Sequence, residues 1–102
     1  MNDVVQEMVD LLGPTLVSAT VGSRTRNLED LTDDQIAKAE VLKQLWEYLV
    51  ELNDGSKQTA SMYLIGSPHN LDGKTFITAI REGVATEQIL GSAEYTCNDG
   101  WQ

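Results

Sequence analysis

The chain has 102 residues, of which 16 are acidic and 7 are basic, so its formal net charge at pH 7 is −9. This length suits one domain with a single hydrophobic core, and the ordinary apolar and charged fractions exclude an intrinsically disordered chain. The surplus of acid opposes bulk attraction to nucleic-acid phosphates and anionic membranes, and it favours basic protein partners.

Cysteine usage and the start of the chain narrow the class of protein further. Cys97 is the single cysteine, so an internal disulfide is impossible and a reducing compartment is expected. The first residues lack the basic start and apolar run of a signal peptide, and no stretch has the roughly 20 apolar residues of a membrane span. We therefore expect a cytoplasmic protein that does not enter a membrane.

The longest helical pattern runs from residue 32 to residue 52 and predicts the central helix of the fold. Thr32 and Gln35 have the spacing of a capping box, and Asn53, Asp54 and Gly55 predict the end of the helix. Apolar residues recur at steps of three and four, as on one face of an α-helix. They are Ile36, Ala39, Leu42, Leu45, Trp46, Leu49 and Val50. This face is too broad to lie in water, so shorter elements must cover it.

Two short helices and a third segment are predicted before the central helix. The first begins at Asn2 or Asp3 and ends at Leu12, and the second runs from residue 14 to residue 21. Ser23 is expected to cap a third helix over residues 24 to 30. Helix, glycine-containing turn and helix together have the outline of a helix-turn-helix.

The start of that third helix would be the DNA-contacting part of a helix-turn-helix. The candidate DNA-binding residues are Ser23, Arg24, Thr25, Arg26 and Asn27. Such side chains contact phosphates and base edges in known DNA-binding helices. In the alternative interpretation, the two arginines are paired with carboxylates such as Glu29 and Asp30. The segment then has no net charge, although the surface around it is acidic.

Three more helices are predicted after the central one, over residues 57 to 65, 76 to 82 and 87 to 97. Ser56, Thr75 and Thr86 are their expected N-caps. Between the first two lies a loop with turn-forming residues, from which Leu71 is expected to reach the core. No segment shows sustained alternation of apolar and polar residues. The sequence therefore predicts an all-α bundle of about six or seven helices around one long central helix.

No residue pattern indicates catalysis, a metal site or another cofactor. His69 is the single histidine and lacks a surrounding catalytic motif, although Asp72 is near in sequence. Cys97 has no basic neighbour to lower its pKa. Trp46 belongs to the buried stripe, whereas Tyr48 and especially Trp101 are candidates for an interface. We predict a protein without enzymatic activity.

The C-terminal half resembles the toxin-binding domain of Xre/MbcA/ParS-type antitoxins. The residues that carry this resemblance are MYLIGSPHNLDGKT at 62 to 75 and AIREG at 79 to 83. The segment LLGPTLVSATVGSRTRNLEDL at 11 to 31 is similar to the degenerate helix-turn-helix that precedes this domain in many actinobacterial and actinophage proteins. This similarity divides one domain into a helix-turn-helix-like unit at 1–31, the central helix at 32–55 and a toxin-binding-like unit at 56–102.

The resemblance implies a regulatory protein that binds DNA as a dimer and holds a toxin or host protein through its C-terminal half. The partner-binding candidates are Pro68, His69, Asn70, Leu71 and Trp101. Two departures from the family pattern are the acidic Glu29 and Asp30 after the arginines and the short tail after the last helix. The alternative is an acidic protein-interaction module that inhibits a host protein or toxin without contacting DNA.

Overall fold

The computed structural model of the protein describes residues 1–24 and 27–99, with only the backbone described at His69 and Asp99. These residues form six α-helices and one short 3₁₀ turn, and no strand occurs among them. The elements are α1 (Asp3–Leu12), α2 (Pro14–Val21), α3 (Asp33–Leu52), α4 (Lys57–Leu64), the 3₁₀ turn (His69–Leu71), α5 (Phe76–Arg81) and α6 (Thr86–Asp99). The prediction of an all-α bundle of six or seven helices is confirmed.

Helix α3 is the central element, and α1, α2, α4, α5 and α6 all pack against it. Its start has the predicted capping box: the Thr32 backbone N–H donates to Gln35 Oε1 over 3.0 Å, and the Gln35 N–H donates to Thr32 Oγ1 over 3.1 Å. Most of the predicted apolar face is buried, whereas Ile36 and Val50 are half-buried. Its buried members are Ala39, Leu42, Leu45, Trp46 and Leu49.

The shorter helices begin where side chains satisfy free backbone N–H groups. The Asn2 side chain accepts from two N–H groups at the start of α1, and the Ser56 and Thr75 hydroxyls cap α4 and α5. Thr86 is the exception, because it is the first residue of α6 rather than its cap. The carbonyl of Ala85 accepts the first α6 hydrogen bond from Ile89 instead. None of these described helices combines the length and apolar composition that a bilayer crossing requires.

The prediction of a helix over residues 24 to 30 is wrong for the residues described there. Arg24 and residues 27–30 are not helical. Asn27 Oδ1 accepts from the Glu29 N–H over 3.0 Å, and this side-chain turn competes with helical hydrogen bonding. The N–H of Ser23 donates to the Ser18 carbonyl and completes the end of α2. Leu28 is buried, 3% exposed, and anchors residues 27–30 to the core.

Two hydroxyls on α6 lie in the core without a partner among the described atoms. Ser92 and Thr96 are 2% and 1% exposed, and neither side-chain oxygen makes a hydrogen bond. Thr20 on α2 is a contrasting case, because its fully buried hydroxyl donates to the Leu16 carbonyl over 2.8 Å. A buried polar group without a partner lowers the stability of a fold, whereas a formed hydrogen bond contributes about 1 kcal/mol.

We expect Leu45→Ala to lower the free energy of unfolding by about 2–5 kcal/mol, because it opens a cavity in the face of α3 that every other helix covers. Urea denaturation followed by circular dichroism measures this loss. The matched control is Gln44→Ala, at the exposed neighbouring position of the same helix, which should change stability by less than about 0.5 kcal/mol. Equal effects of both substitutions would contradict the central role of this face.

We expect Thr96→Val to raise the free energy of unfolding by about 1 kcal/mol, because a methyl group replaces an unpaired buried hydroxyl of similar shape. Thr20→Val is the matched control and should lower stability by about 1 kcal/mol, since it removes a formed hydrogen bond. Both values come from urea denaturation of the two variants beside the parent chain. A loss of stability in both variants would show that the Thr96 hydroxyl has a partner.

Candidate protein-binding surface

An apolar groove lies between the corner where α1 meets α2 and the outer side of α4. Its volume is about 430 Å³. One wall consists of Leu11, Leu12 and Leu16 from α1 and α2. The other wall consists of Gln58, Ser61, Met62, Leu64 and Ile65 from α4 and the residue that follows it. No charged side chain lines this groove, although 23% of the residues in the chain are charged.

The first wall depends on the tight corner at Gly13. Its φ of +91° lies in a region that L side chains rarely adopt, and its N–H donates to the Val9 carbonyl over 2.8 Å. Pro14 then begins α2 at once, since a first helical residue needs no N–H donor. As a result Leu12 and Leu16 lie on the same wall, although they belong to different helices.

The second wall depends on how α4 divides its residues between the core and the surface. Ala60 and Leu64 are fully buried, one helical turn apart. Met62 and Ile65 lie on the opposite side and are 62% and 66% exposed. Since α4 packs mainly against α3, its outer side has no covering helix in the described part of the chain. No sequence pattern indicated this wall, because the spacing of apolar residues in α4 does not show which of its sides stays uncovered.

Exposed apolar side chains concentrate at this groove. Among the described residues, the large hydrophobic side chains that remain exposed are Met1, Leu11, Met62, Ile65 and Tyr95. Leu11, Met62 and Ile65 belong to the groove. Single exposed apolar residues are ordinary on protein surfaces, but a contiguous apolar patch indicates a binding site. The groove is therefore the strongest candidate for a functional surface.

The residues predicted to bind DNA do not form a recognition helix in the described part of the chain. Arg24 and Asn27 are exposed, and Ser23 is half-buried against the end of α2. Thr25 and Arg26 lie outside the described residues. Because Arg24 and residues 27–30 are not helical, the helix-turn-helix outline lacks the described part of its second helix. DNA contact by this segment stays a prediction.

The residues predicted to bind a partner are only partly at the surface. Pro68 and Leu71 are buried in the free chain, and their contact with a partner stays a prediction. Leu71 is 2% exposed and reaches the core from the loop, which confirms the other expectation for it. Asn70 is exposed. The His69 side chain and Trp101 lie outside the described residues.

The rest of the described surface is strongly acidic. Exposed carboxylates follow one side of α3 at steps of seven, seven and four, at Asp33, Glu40, Glu47 and Glu51. Three lysines are already paired with acids: Lys38 with Asp34, Lys43 with Glu7 and Lys74 with Glu82, at 3.3, 2.9 and 3.3 Å. A phosphate ligand would therefore meet few unpaired cations on the described surface.

Lys43 and Glu7 connect α3 to α1. The hydrogen bond to Glu7 raises the pKa of Lys43 above its ordinary value, and the charge of Glu7 adds to this shift. The pair lies at the surface, so its effect on stability is small and sensitive to salt. It therefore adds little to the apolar contacts that hold α1 on α3.

Polar contacts on the other side of α3 connect it to α6. Tyr48 donates to Glu94 Oε2 over 3.0 Å, and this hydrogen bond, with some desolvation, raises the pKa of Tyr48. Tyr48 was predicted as an interface candidate, but it is half-buried and bonded within the chain. Its contact with Glu94 gives it a structural role.

The chemistry of Cys97 is that of a partly buried thiol. Burial raises the pKa of Cys97, and the Asn53 side-chain amide, which is 3.7 Å from Sγ, opposes that shift. A raised pKa lowers the thiolate fraction at neutral pH, and the thiolate is the reactive form. In the described ranges no group of three or more His, Cys, Asp or Glu side chains could hold a metal ion.

Comparisons with known proteins found no match: no family model, no curated protein and no solved structure is similar to this chain.

We expect iodoacetamide to alkylate Cys97 more slowly in the folded chain than in the urea-denatured chain at the same pH, because burial raises its pKa and restricts access. The reaction rate should rise with pH, with a midpoint above that of the denatured chain. Mass spectrometry of the alkylated protein measures both curves. A folded midpoint at or below the denatured one would contradict the assignment of Cys97 as an unactivated thiol.

Proposed function

We propose that this chain is a small regulatory protein without catalytic activity, which acts by holding another protein in the groove between the α1–α2 corner and α4. The observation that carries the proposal is the grouping of Leu11, Met62 and Ile65, which remain 44%, 62% and 66% exposed around one charge-free groove. Burial of such side chains in a complex is favourable at roughly 25 cal/mol per Å² of apolar surface.

The distribution of charge supports a protein partner over DNA. DNA-binding proteins obtain much of their affinity from several lysine and arginine contacts to phosphates. On the described surface, Lys38, Lys43 and Lys74 have acidic partners, and Arg24 has no helix to present it to a DNA groove. A partner with a basic surface suits a chain with a net charge of −9.

The antitoxin-like resemblance suggests what this binding would achieve. In that family the partner is a toxin, and the binding protein blocks it. We propose that the partner here is likewise a toxin or host protein that is inhibited while it is bound, and that binding takes place in the cytoplasm. The family places the contact in the C-terminal half, and α4 with Met62 and Ile65 belongs to that half.

An affinity capture with matched variants tests the proposal. The tagged protein, its Met62→Glu variant and its Tyr95→Glu variant are each incubated with lysate of the native host, and the captured proteins are quantified by mass spectrometry. Tyr95 is the control because it is 48% exposed on α6, away from the groove. We expect one partner to be retained by the parent and Tyr95→Glu chains and lost from Met62→Glu, because a buried unpaired charge opposes binding.

A gel-shift titration with random and promoter-derived DNA at low salt tests the alternative of DNA binding. We expect no shift at low micromolar protein concentration, because the surface is acidic. A shift that Arg24→Ala abolishes and Met62→Glu does not change would contradict the proposal. Retention of the same captured protein by all three chains would also contradict it, since the groove would then play no part.

A further inference from the structure

We infer that the groove binds an amphipathic α-helix of the partner, with lysine or arginine residues along the side of its apolar stripe that faces α1. This inference rests on the proposed function and names the kind of segment that the groove would hold. It combines three features of the described structure: the length of the groove, its apolar lining, and the different charges of the residues that flank its two walls.

The length of the groove matches a short helix. Its α4 wall is built on 8 residues, which span about 12 Å at 1.5 Å per residue. About two turns of a partner helix cover this distance, and they present apolar residues at spacings of three, four and seven. Met62 lies at the centre of this wall, and its flexible thioether adapts to apolar side chains of different shapes.

The backbone around the groove favours a helix over an extended peptide. A peptide that binds as a β-strand needs the free N–H and C=O groups of a sheet edge, and no strand occurs in residues 1–24 and 27–99. The groove walls are helices, whose interior backbone groups are already hydrogen-bonded to each other. An occupant must therefore gain its affinity from side-chain contacts, as an amphipathic helix does.

The charges beside the groove differ between its two walls. Helix α1 carries Asp3, Glu7 and Asp10, of which Glu7 is paired with Lys43, and residues 1–22 contain no lysine or arginine. Asp10 directly precedes the groove residue Leu11 and accepts a hydrogen bond from the uncharged Gln6 side chain, so its charge is not neutralised there. On the other wall, the exposed Lys57 precedes Gln58. Basic side chains of the occupant are therefore favoured beside α1 and disfavoured beside the start of α4.

A second copy of this chain fits the charges less well. It would bring a further net charge of −9, including another acidic α1, against the same surface. A partner helix with basic residues reduces that repulsion and gains attraction from Asp10. The partner helix is therefore the occupant that the charges favour, and self-association is an outcome that the experiment must distinguish.

Fluorescence anisotropy with two labelled synthetic helical peptides tests the inference. Both peptides carry the same leucine stripe at helical spacing, and one has lysine while the other has glutamate on one side of that stripe. We expect the full-length protein to bind the lysine peptide at least about tenfold more tightly, and this preference to shrink as salt is raised. Met62→Glu should weaken binding by at least about tenfold, whereas Tyr95→Glu should leave it unchanged.

Charge reversal on α1 tests the predicted orientation. Asp10→Lys lies at an exposed position, and circular dichroism checks that the variant is folded. The substitution should weaken binding of the lysine peptide and strengthen binding of the glutamate peptide, each by several-fold, because the charge beside the groove changes sign. Equal affinities of the two peptides, or binding that Met62→Glu leaves intact, would overturn the inference.

Two further outcomes separate this inference from the proposed function. If neither peptide binds while Met62→Glu still loses the captured partner, the groove holds a protein but not a basic helix, and the inference alone fails. If analytical ultracentrifugation shows a dimer that Met62→Glu dissociates, the occupant is a second copy of this chain. That result would overturn the inference as well.

Discussion

The constraint on which this fold depends is the apolar face of α3, which cannot remain in water. Ala39, Leu42, Leu45 and Leu49 have no exposed surface, and Trp46 is 5% exposed. The other helices have 6 to 14 residues, and isolated helices of such lengths are marginal in water. Their stability therefore comes mainly from their contact with α3, and their positions follow from the need to cover it.

Covering one long helix with short ones leaves gaps, and the groove is such a gap. Helix α4 buries Ala60 and Leu64 against the core, but its other side meets no helix in the described part of the chain. The corner at Gly13 places Leu11, Leu12 and Leu16 on the wall that faces α4 across the groove. The same packing that buries the α3 face thus leaves Met62 and Ile65 in solvent, where they are available to a partner.

Most of the fold could be predicted from the sequence because two kinds of pattern agree along most of the chain. Capping and turn residues mark the helix ends, and the apolar residues between them recur at helical spacing. The capping box at Thr32 and the Gly13-Pro14 corner identify helix ends without knowledge of the packing. The failure at residues 27–30 has a local cause, since the Asn27 side chain forms a turn where a helix was expected. Helical propensity and turn formation compete there, and the sequence pattern alone did not decide between them.

The candidate site was less predictable than the fold, because exposure depends on which elements become neighbours. Leu71 and Met62 are both apolar residues in the C-terminal half, yet one is 2% and the other 62% exposed. Sequence spacing indicates that Ala60 and Leu64 share a face, but it does not indicate that no helix covers the opposite face. The groove therefore became visible only when the α1–α2 corner and α4 were placed in space.

The acidic charge and the apolar groove have complementary effects on association. An exposed apolar patch promotes non-specific self-association, and a high net charge of one sign opposes it. With a net charge of −9, two copies repel each other before their grooves approach, while a basic partner is attracted over the same distances. In the function that we propose, charge would select the class of partner at long range, and contacts with Leu11, Met62 and Ile65 would provide the affinity at short range.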